Sequence, residues 1–499
     1  MKRTYLVLAL IFAFSVALRL FFALSVQNFS DNEAYFVLRQ VESIRQTGLP
    51  LYHDPLSYDG KQQIFLPLYY YSLSIFSFFL PVQLVLKIIP NLFASCLVFV
   101  VYAITLHITR NPAASLWAAS VSAVIPVFTS LTANSASIYT FVVPLLFLIL
   151  YFFMRAAQEK AFVWFFVISF FTLAFTSAIA ALVALGFVFY LLIAKLEGLR
   201  TTKAELEVTI FSVLFILWLY VLVFKKILLT YGASVLFQNI PSALMSQYFR
   251  NITIVGAVNQ VGLLPLFVGT VMLYHYLFRI KSKSIYMLIG FTFAVFLLLW
   301  LKVLSFGGGL MVLGSAFTIL FGKSLASFLD YIEKTNLLRF KMYFAAGAVI
   351  LLVASSLGPT LFYYNQESKK AFNADEIDAL QWLANNSEPQ SVVLSTLQEG
   401  NLVTGIAHRA DVMDQNFLLV PNIDQRLSDL DTIFSTSSEI EAVDLLTKFH
   451  VDYIFFSDYA KLKYKRTSLG YTDDFNCFQL VYDKQVQIYR TRCKLETIT

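Results

Sequence analysis

The sequence predicts an α-helical polytopic membrane protein with a small α/β domain at its C-terminal end. Three observations carry that reading. Hydrophobic residues make up 58% and charged residues 14% of the 499-residue chain, against about 45–50% and 25% in soluble domains. Membrane-length apolar runs recur as far as about residue 364. From about Asn365 the composition turns polar and short β-type runs take over.

The 50 Phe and 27 Tyr are read, at this density, as lipid-facing and helix-packing surface with interfacial belts, and no chemistry is assigned to them. A net charge of +6 would suggest nucleic acid in a soluble protein. Here the basic residues sit mainly in short loops between apolar runs, where they set orientation, and this argues against a nucleic-acid partner.

Met1-Lys2-Arg3 precedes a run from Tyr5 to about Val26. That run exceeds a signal-peptide core and no small-residue cleavage site follows it, so it reads as an uncleaved first helix. Candidate spans fall near residues 4–27, 84–107, 113–131, 138–154, 161–176, 178–194, 207–224, 259–278, 285–301, 304–322 and 342–363, about 11 in all at roughly 20 apolar residues per crossing. Phe65 to Leu80 is also apolar, but it is short, carries Pro67 and is Tyr-rich at one end. It suits an interfacial helix. Counting it as a span would put the loops of Arg155, Arg200 and Lys281 outside, against the positive-inside rule. With the N-terminus cytoplasmic, the odd count places the tail outside, in a plasma membrane or its ER equivalent. The expected domains are a membrane module over 1–364, with a first outer loop at 28–83, and an extracytoplasmic α/β domain over 365–499.

Outer loops of this length usually carry function. Ala34, Val37, Leu38, Val41 and Ile44 recur at helical spacing against Arg39, Glu42 and Arg45, and Gly48 and Pro50 stop the pattern. This describes an amphipathic helix lying on the membrane surface. Ser30-Asp31-Asn32-Glu33, at its start, matches a capping box in which Ser30 and Glu33 suffice. Asp31 is surplus to that cap, though an acid in the first turn is mildly favoured by the helix dipole. Turn-like polar residues follow at His53-Asp54-Pro55 and Tyr58-Asp59-Gly60-Lys61.

In the tail, Asp375 to Ala384 reads as an amphipathic helix with Trp382 inward. β-type runs follow at Val392–Ser395, Val451–Phe456, Cys477–Tyr482 and Gln485–Tyr489, with a helix at Glu439–Lys448 and a hairpin turn at Asp483-Lys484. The three cysteines have no metal-ligand spacing; a Cys477–Cys493 disulfide is open to the chain if the tail lies outside. The tail carries no nucleophile elbow, phosphate loop or metal cluster, and is expected to shape acceptor access.

The order of first helix, Asp31-Asn32-Glu33-Ala34-Tyr35, a helix ending in Gly48-Leu49-Pro50, then Leu66-Pro67-Leu68-Tyr69-Tyr70 and Lys87-Ile88-Ile89-Pro90 resembles the GT-C glycosyltransferases. Within them the likeness is to the protein-mannosyltransferase-like and aminoarabinose-transferase-like branch, which uses polyprenyl-phosphate sugars. In that branch an Asp-Glu pair, with a Tyr three residues after the Glu, opens the first outer loop. Asp31 and Tyr35 match; Asn32 takes the Glu position and Glu33 is displaced by one. Lys87 matches the family's basic residue before a proline. The next outer loop departs from the family pattern, since Thr132-Ala133-Asn134-Ser135-Ala136-Ser137 has no carboxylate. A divalent cation (Mg or Mn) would then have only Asp31, Glu33 and Asp54 to draw on, so no metal ligand or cofactor is assigned. Ser391 to Gly400, followed by Ala407-His408-Arg409 and Asp414, resembles the outer domain of the oligosaccharyltransferase catalytic subunit. That family's Trp-Trp-Asp-Tyr-Gly position reads Thr396-Leu397-Gln398-Glu399-Gly400 here. Only the glycine is kept, which disfavours transfer of a whole oligosaccharide to asparagine.

The resemblance implies an inverting transferase that moves a hexosyl or pentosyl unit from a polyprenyl-phosphate donor to a protein, lipid or glycan acceptor at the outer face. Asp31 would be the general base, with Glu33 beside it. Tyr35, Asp54, Lys87, Arg19 and Arg250 are the candidate substrate-binding residues, the cations among them serving the leaving phosphate. Arg19 is included because an intramembrane arginine is a functional hypothesis by default, with snorkelling as the plain alternative. Two rival readings remain: a transporter or flippase of lipid-linked sugars, against which stands the lack of a clear internal repeat, and a non-catalytic relative. A cysteine introduced near Asp375 is expected to react with an impermeant maleimide on intact cells. Labelling only after permeabilisation would overturn the orientation.

Overall fold

The computed structural model describes residues 2–58, 60–156, 158–249, 253–335 and 341–495. In hydrocarbon, backbone polar groups must be satisfied within their own segment, so long apolar runs become helices. Among the described residues, eight helices are long and apolar enough to cross a bilayer: Lys2–Ser25, Val82–Thr109, Pro112–Thr132, Tyr139–Ala156, Lys203–Tyr231, Lys283–Trp300, Phe306–Glu333 and Ala346–Ser368. Val255–Val261 and Leu263–Phe278 make a ninth if counted as one span bent by 101°. The chain is a multi-pass membrane protein.

The expected count of about 11 is not reached by length. Ala161–Ala174 and Ala180–Leu196, with 14 and 17 residues, extend only about 21 and 26 Å against a hydrocarbon core of about 30 Å. Leu68–Ser77, 10 residues long, is shorter still and remains a non-spanning helix, as its Pro67 and tyrosines suggest. Tyr69 Oη donates to Ala136 O at 2.9 Å.

The chain divides into two compact units. One comprises residues 1–26, 65–225 and 248–369, the other 27–64, 226–247 and 370–499. Among its described residues, every regular element of the first unit is a helix. Its core is aromatic, with Phe153 stacked on Phe187 at 4.1 Å and Tyr190 edge-on at 5.8 Å. Glu205, a buried carboxylate, is satisfied by Tyr190 Oη at 2.9 Å, Thr202 N–H at 2.6 Å and Lys283 Nζ at 3.2 Å.

The second unit is built on a mixed sheet. β1 (His53–Asp54) and β2 (Lys61–Gln62) form a small antiparallel pair. β3 (Val392–Leu394), β4 (Ala410–Asp411), β5 (Tyr453–Phe456), β6 (Phe478–Asp483) and β7 (Gln487–Thr491) form a sheet of order β4-β3-β5-β7-β6. β4, β3 and β5 run parallel, whereas β7 and β6 are antiparallel to what precedes them. Leu394, Ile454 and Phe456 are packed with Leu430, Ile433 and Phe434 of helix Ile423–Ser435, an element the sequence pattern did not single out. Helix Glu439–Lys448 starts where Ser438 caps it.

Helix Ala374–Asn386 opens with a capping box: Asn373 Oδ1 accepts Glu376 N–H at 2.7 Å and Glu376 Oε2 accepts Asn373 N–H at 2.9 Å. Ala379, Leu380 and Leu383 fill its inner face. Trp382 is only half-buried, its ring 5.5 Å from Tyr482, because the helix turns Leu383 inward instead. Cys477 and Cys493 are joined, with 16 residues of separation, closing the open end of the β6–β7 hairpin. A loop of this size stabilises by about 3 kcal/mol. Cys477→Ala/Cys493→Ala is expected to lose stability of that order, read as a lowered melting temperature that reductant lowers no further.

Candidate functional site

The second unit positions Asp31, Glu33, Tyr35 and Asp54. Helix Glu33–Thr47 starts later than the capping-box reading requires. Asn32 occupies its cap and makes no side-chain cap bond; Asp31 Oδ1 instead accepts Glu33 N–H at 3.1 Å. The Ser30–Glu33 box therefore does not form. A box needs its acid at the third helical position, and Glu33 is at the first. Asp31 is not surplus to the cap: it bonds the helix start, where partial positive charge favours a carboxylate.

Asn32 reaches across the fold, Oδ1 accepting Leu402 N–H at 3.0 Å. The following turn, Val403–Ala407, is a π-helix packed on the same helix. A Cβ on Gly405 would sit 3.2 Å from Tyr35 Cβ. Tyr35 is 3% exposed and has Phe29 and Phe372 edge-on at 5.8 and 5.7 Å. Burial pushes its phenol up. This tyrosine packs the site rather than lining an open face.

The surface-helix expectation also changes. Val37, Leu38, Val41 and Ile44 are buried by protein, and so is Arg39 from the face expected to be polar. Its guanidinium forks onto Asp54, both bonds at 2.6 Å. Asp54 also accepts Gln63 Nε2 at 3.1 Å and Leu56 N–H at 3.0 Å. Both carboxylate oxygens are engaged, so Asp54 holds the 53–63 loop and offers no open ligand face.

That loop is stitched to the sheet. Ser57 Oγ donates to Asp414 Oδ2 at 2.6 Å, Asp411 N–H to Leu56 O at 2.8 Å, and Lys61 Nζ lies 3.6 Å from Asp414 Oδ1. Gly400 faces the same cluster: a Cβ there would fall 2.4 Å from both Asp411 Oδ2 and Met413 O. This close approach gives Gly400 a structural reason independent of its Thr396–Glu399 neighbours. Glu399 is fully buried, Oε2 accepting Thr396 Oγ1–H at 2.5 Å, and burial raises its pKa. The sequence reading missed this network; its only signal was the carboxylates at 411 and 414.

Asp31 is half-buried and the Glu33 side chain is accessible, though protein crowds its carboxyl. Desolvation first, and then the charge on Asp31, raise Glu33 to about 7. Two carboxylates thus stand two residues apart at the helix start, and the surroundings of Glu33 favour its protonated form.

In the first unit, Lys87 Nζ donates to Ala23 O at 3.0 Å and to Val26 O, placing a cation at the C-terminal end of the first helix. Arg19 is 1% exposed. Its Nη1 donates to Asn91 Oδ1 at 3.2 Å and Thr132 Oγ1 at 3.0 Å, its Nη2 to Phe128 O at 3.2 Å, and its guanidinium stands 4.6 Å from the Phe128 ring centre. It does not snorkel. Asn91 links the two cations, since its Nδ2 donates to Lys87 O at 2.8 Å. Arg250 lies outside the described residues.

Glu439, Asp474 and Cys477 have ligand-type atoms within 4.8 Å of one another. The Cys477 sulfur is bonded to Cys493, which leaves two carboxylates and no thiolate for a metal there.

No protein-family model matches this sequence, and no curated protein matches it. Solved structures do match in fold. The apo oligosaccharyltransferase of Archaeoglobus fulgidus aligns with TM-score 0.69 over 99% of this chain and 75% of its own, at 16% identity. ArnT of Cupriavidus metallidurans in the apo state gives 0.59 over 96% and 97%, at 11% identity. Mycobacterial arabinofuranosyltransferase AftD gives 0.59 over 98% of this chain and 40% of its own, at 14% identity. At 11–16% identity the likeness to these three structures is one of fold.

Removing Asp54 would leave Arg39 charged, buried and unpaired. Asp54→Ala is expected to cost about 3–5 kcal/mol, measured by thermal unfolding in detergent. Loss of donor binding at unchanged stability would return Asp54 to the ligand site.

Proposed function

We propose that this chain is an integral-membrane glycosyltransferase that moves one sugar from a polyprenyl-phosphate carrier to an acceptor at the extracytoplasmic face, inverting the anomeric centre. The observation that carries the reading is the Asp31/Glu33 pair, two carboxylates not buried by protein at the start of helix Glu33–Thr47, with Glu33 raised to about 7 by desolvation and by the charge on Asp31. The GT-C fold supports it: AglB of Archaeoglobus fulgidus was solved with a dolichol-phosphate and ArnT of Cupriavidus metallidurans with undecaprenyl phosphate, at TM-scores of 0.67 and 0.55.

In the proposed reaction the acceptor's oxygen or nitrogen attacks the anomeric carbon. The new bond forms as the bond to the phosphate oxygen breaks, and the electron pair leaves with the polyprenyl phosphate. Asp31 takes the acceptor's proton. Lys87 is assigned to the charge that builds on the leaving phosphate. Arg19, its donors directed at Asn91, Thr132 and Phe128, is assigned to positioning the helices. A divalent cation would draw on Asp31 and Glu33, a number of carboxylates that suits Mg when phosphate and water complete its shell. The disulfide supports an oxidising, extracytoplasmic setting for the second unit, with the N-terminus cytoplasmic.

Asp31→Asn is expected to slow transfer from a polyprenyl-phosphate sugar by about 10²–10⁴-fold, assayed in membranes with the acceptor supplied; undiminished transfer would sink the assignment. Glu33 is predicted to give the reaction a pH limb. As pH rises through about 7 the residue ionises, a second negative charge enters the site, and the KM for the anionic donor rises. Glu33→Gln should flatten that limb while keeping kcat at low pH.

A further inference from the structure

The first unit contains a cavity of about 300 Å³ whose residues take no part in the proposed transfer. Trp117, Phe321 and Leu325 are among its walls, and Ser355 and Ser356 line it as well. Among the described residues no lysine, arginine, aspartate or glutamate lines it. Phe328 and Leu351 on its rim are 44% and 53% exposed, so the cavity opens where, in a span, hydrocarbon would be. Apolar cavities of this kind stay dry, and the volume is at the low end for small-ligand sites of about 300–1,000 Å³.

The two serines set this cavity apart from a packing gap. They are 7% and 1% exposed, and neither hydroxyl has a hydrogen-bond partner. A serine in a helix ordinarily donates to the carbonyl four residues back, as many in this chain do. Ser355 and Ser356 lie in a π-helical turn, Val353–Leu357, an irregularity that recurs at functional sites. Gly262, with φ +100°, bends the neighbouring helix pair against that turn. A Cβ on it would come within 3.2 Å of Ser355 O and Ser356 Oγ. The turn and its unpaired hydroxyls are thus held in place near the middle of the 346–368 span, where an unsatisfied polar group is costly.

We propose that this cavity binds a neutral bilayer lipid with one oxygen function, a long-chain alcohol or ketone, its oxygen accepting from Ser355 and Ser356 and its chain lying against Trp117, Phe321 and Leu325. Among the described residues the lining is uncharged and offers a phosphate headgroup no counter-charge, so this ligand is distinct from the sugar donor.

The test uses the full chain in lipid nanodiscs and a long-chain fatty alcohol bearing a mid-chain diazirine. Photolysis is expected to place adducts on peptides spanning 321–328 and 347–356, competed by unlabelled fatty alcohol roughly three- to tenfold better than by the matching alkane. Gly347 lines the cavity and a Cβ there meets nothing within 4 Å, so Gly347→Leu should fill the space and abolish these adducts. Ser355→Ala/Ser356→Ala removes only unpaired hydroxyls and should fold; alcohol and alkane should then compete equally. Labelling spread over all lipid-facing helices and indifferent to Gly347→Leu, or alkane competing as well as alcohol in the unaltered chain, would overturn the proposal.

Discussion

The second unit depends on one buried ion pair. Arg39 and Asp54, paired at 2.6 Å with side chains 8% and 1% exposed, carry opposite charges at a depth where water cannot solvate them. Their attraction does not make the fold stable by itself, since desolvation of both groups offsets most of it. What the pair supplies is a requirement: helix Glu33–Thr47 and the 53–63 loop must meet in one register. The loop then delivers Ser57 to Asp414 and Lys61 to the same carboxylate, and the helix delivers Asn32 to Leu402. Asp31 inherits its place from these constraints.

The first unit manages charge differently. Arg19 is held by an amide oxygen, a hydroxyl and a backbone carbonyl, and Lys87 donates to carbonyls at the end of the first helix. Neutral acceptors satisfy the hydrogen bonds of Arg19 without cancelling its charge. Asn91, bonded to Arg19 and to the Lys87 carbonyl, ties the two positions together. Phe22 stacked on Tyr364 at 3.9 Å adds an apolar brace in the same unit.

Within residues 27–64, crowding sets the proton affinity of Glu33. It is raised to about 7, first because protein surrounds its carboxyl and then because the charge on Asp31 lies beside it. Asp411 is also held well above the usual carboxylate range, by burial first and Asp414 second, but the 53–63 loop covers it. Of the carboxylates in this region, exposure separates Asp31 and Glu33 from Asp54, Asp411 and Asp414.

Much was legible in the chain itself. Apolar runs gave helices wherever they reached membrane length, because hydrocarbon leaves the backbone no other solution. Gly48 ends helix Glu33–Thr47 with φ 79°, and Glu439–Lys448 and three of the expected strands of the tail lie close to where pattern and turn residues place them; the fourth, expected at Gln485–Tyr489, forms at Gln487–Thr491, because Asp483 pairs with Gln487 instead of turning. These are local rules, readable from neighbours in sequence. Which polar groups find each other is not local. Arg39 was legible as a polar-face residue and Asp54 as a loop carboxylate, but only the fold joined them. Asp31 took the bond to the helix start that Ser30 and Glu33 were expected to supply, and Trp382 ceded the core to Leu383. The pairing of Ser57 with Asp414 spans 357 residues; periodicity carries no information across that distance, and burial in three dimensions is what selects the partner.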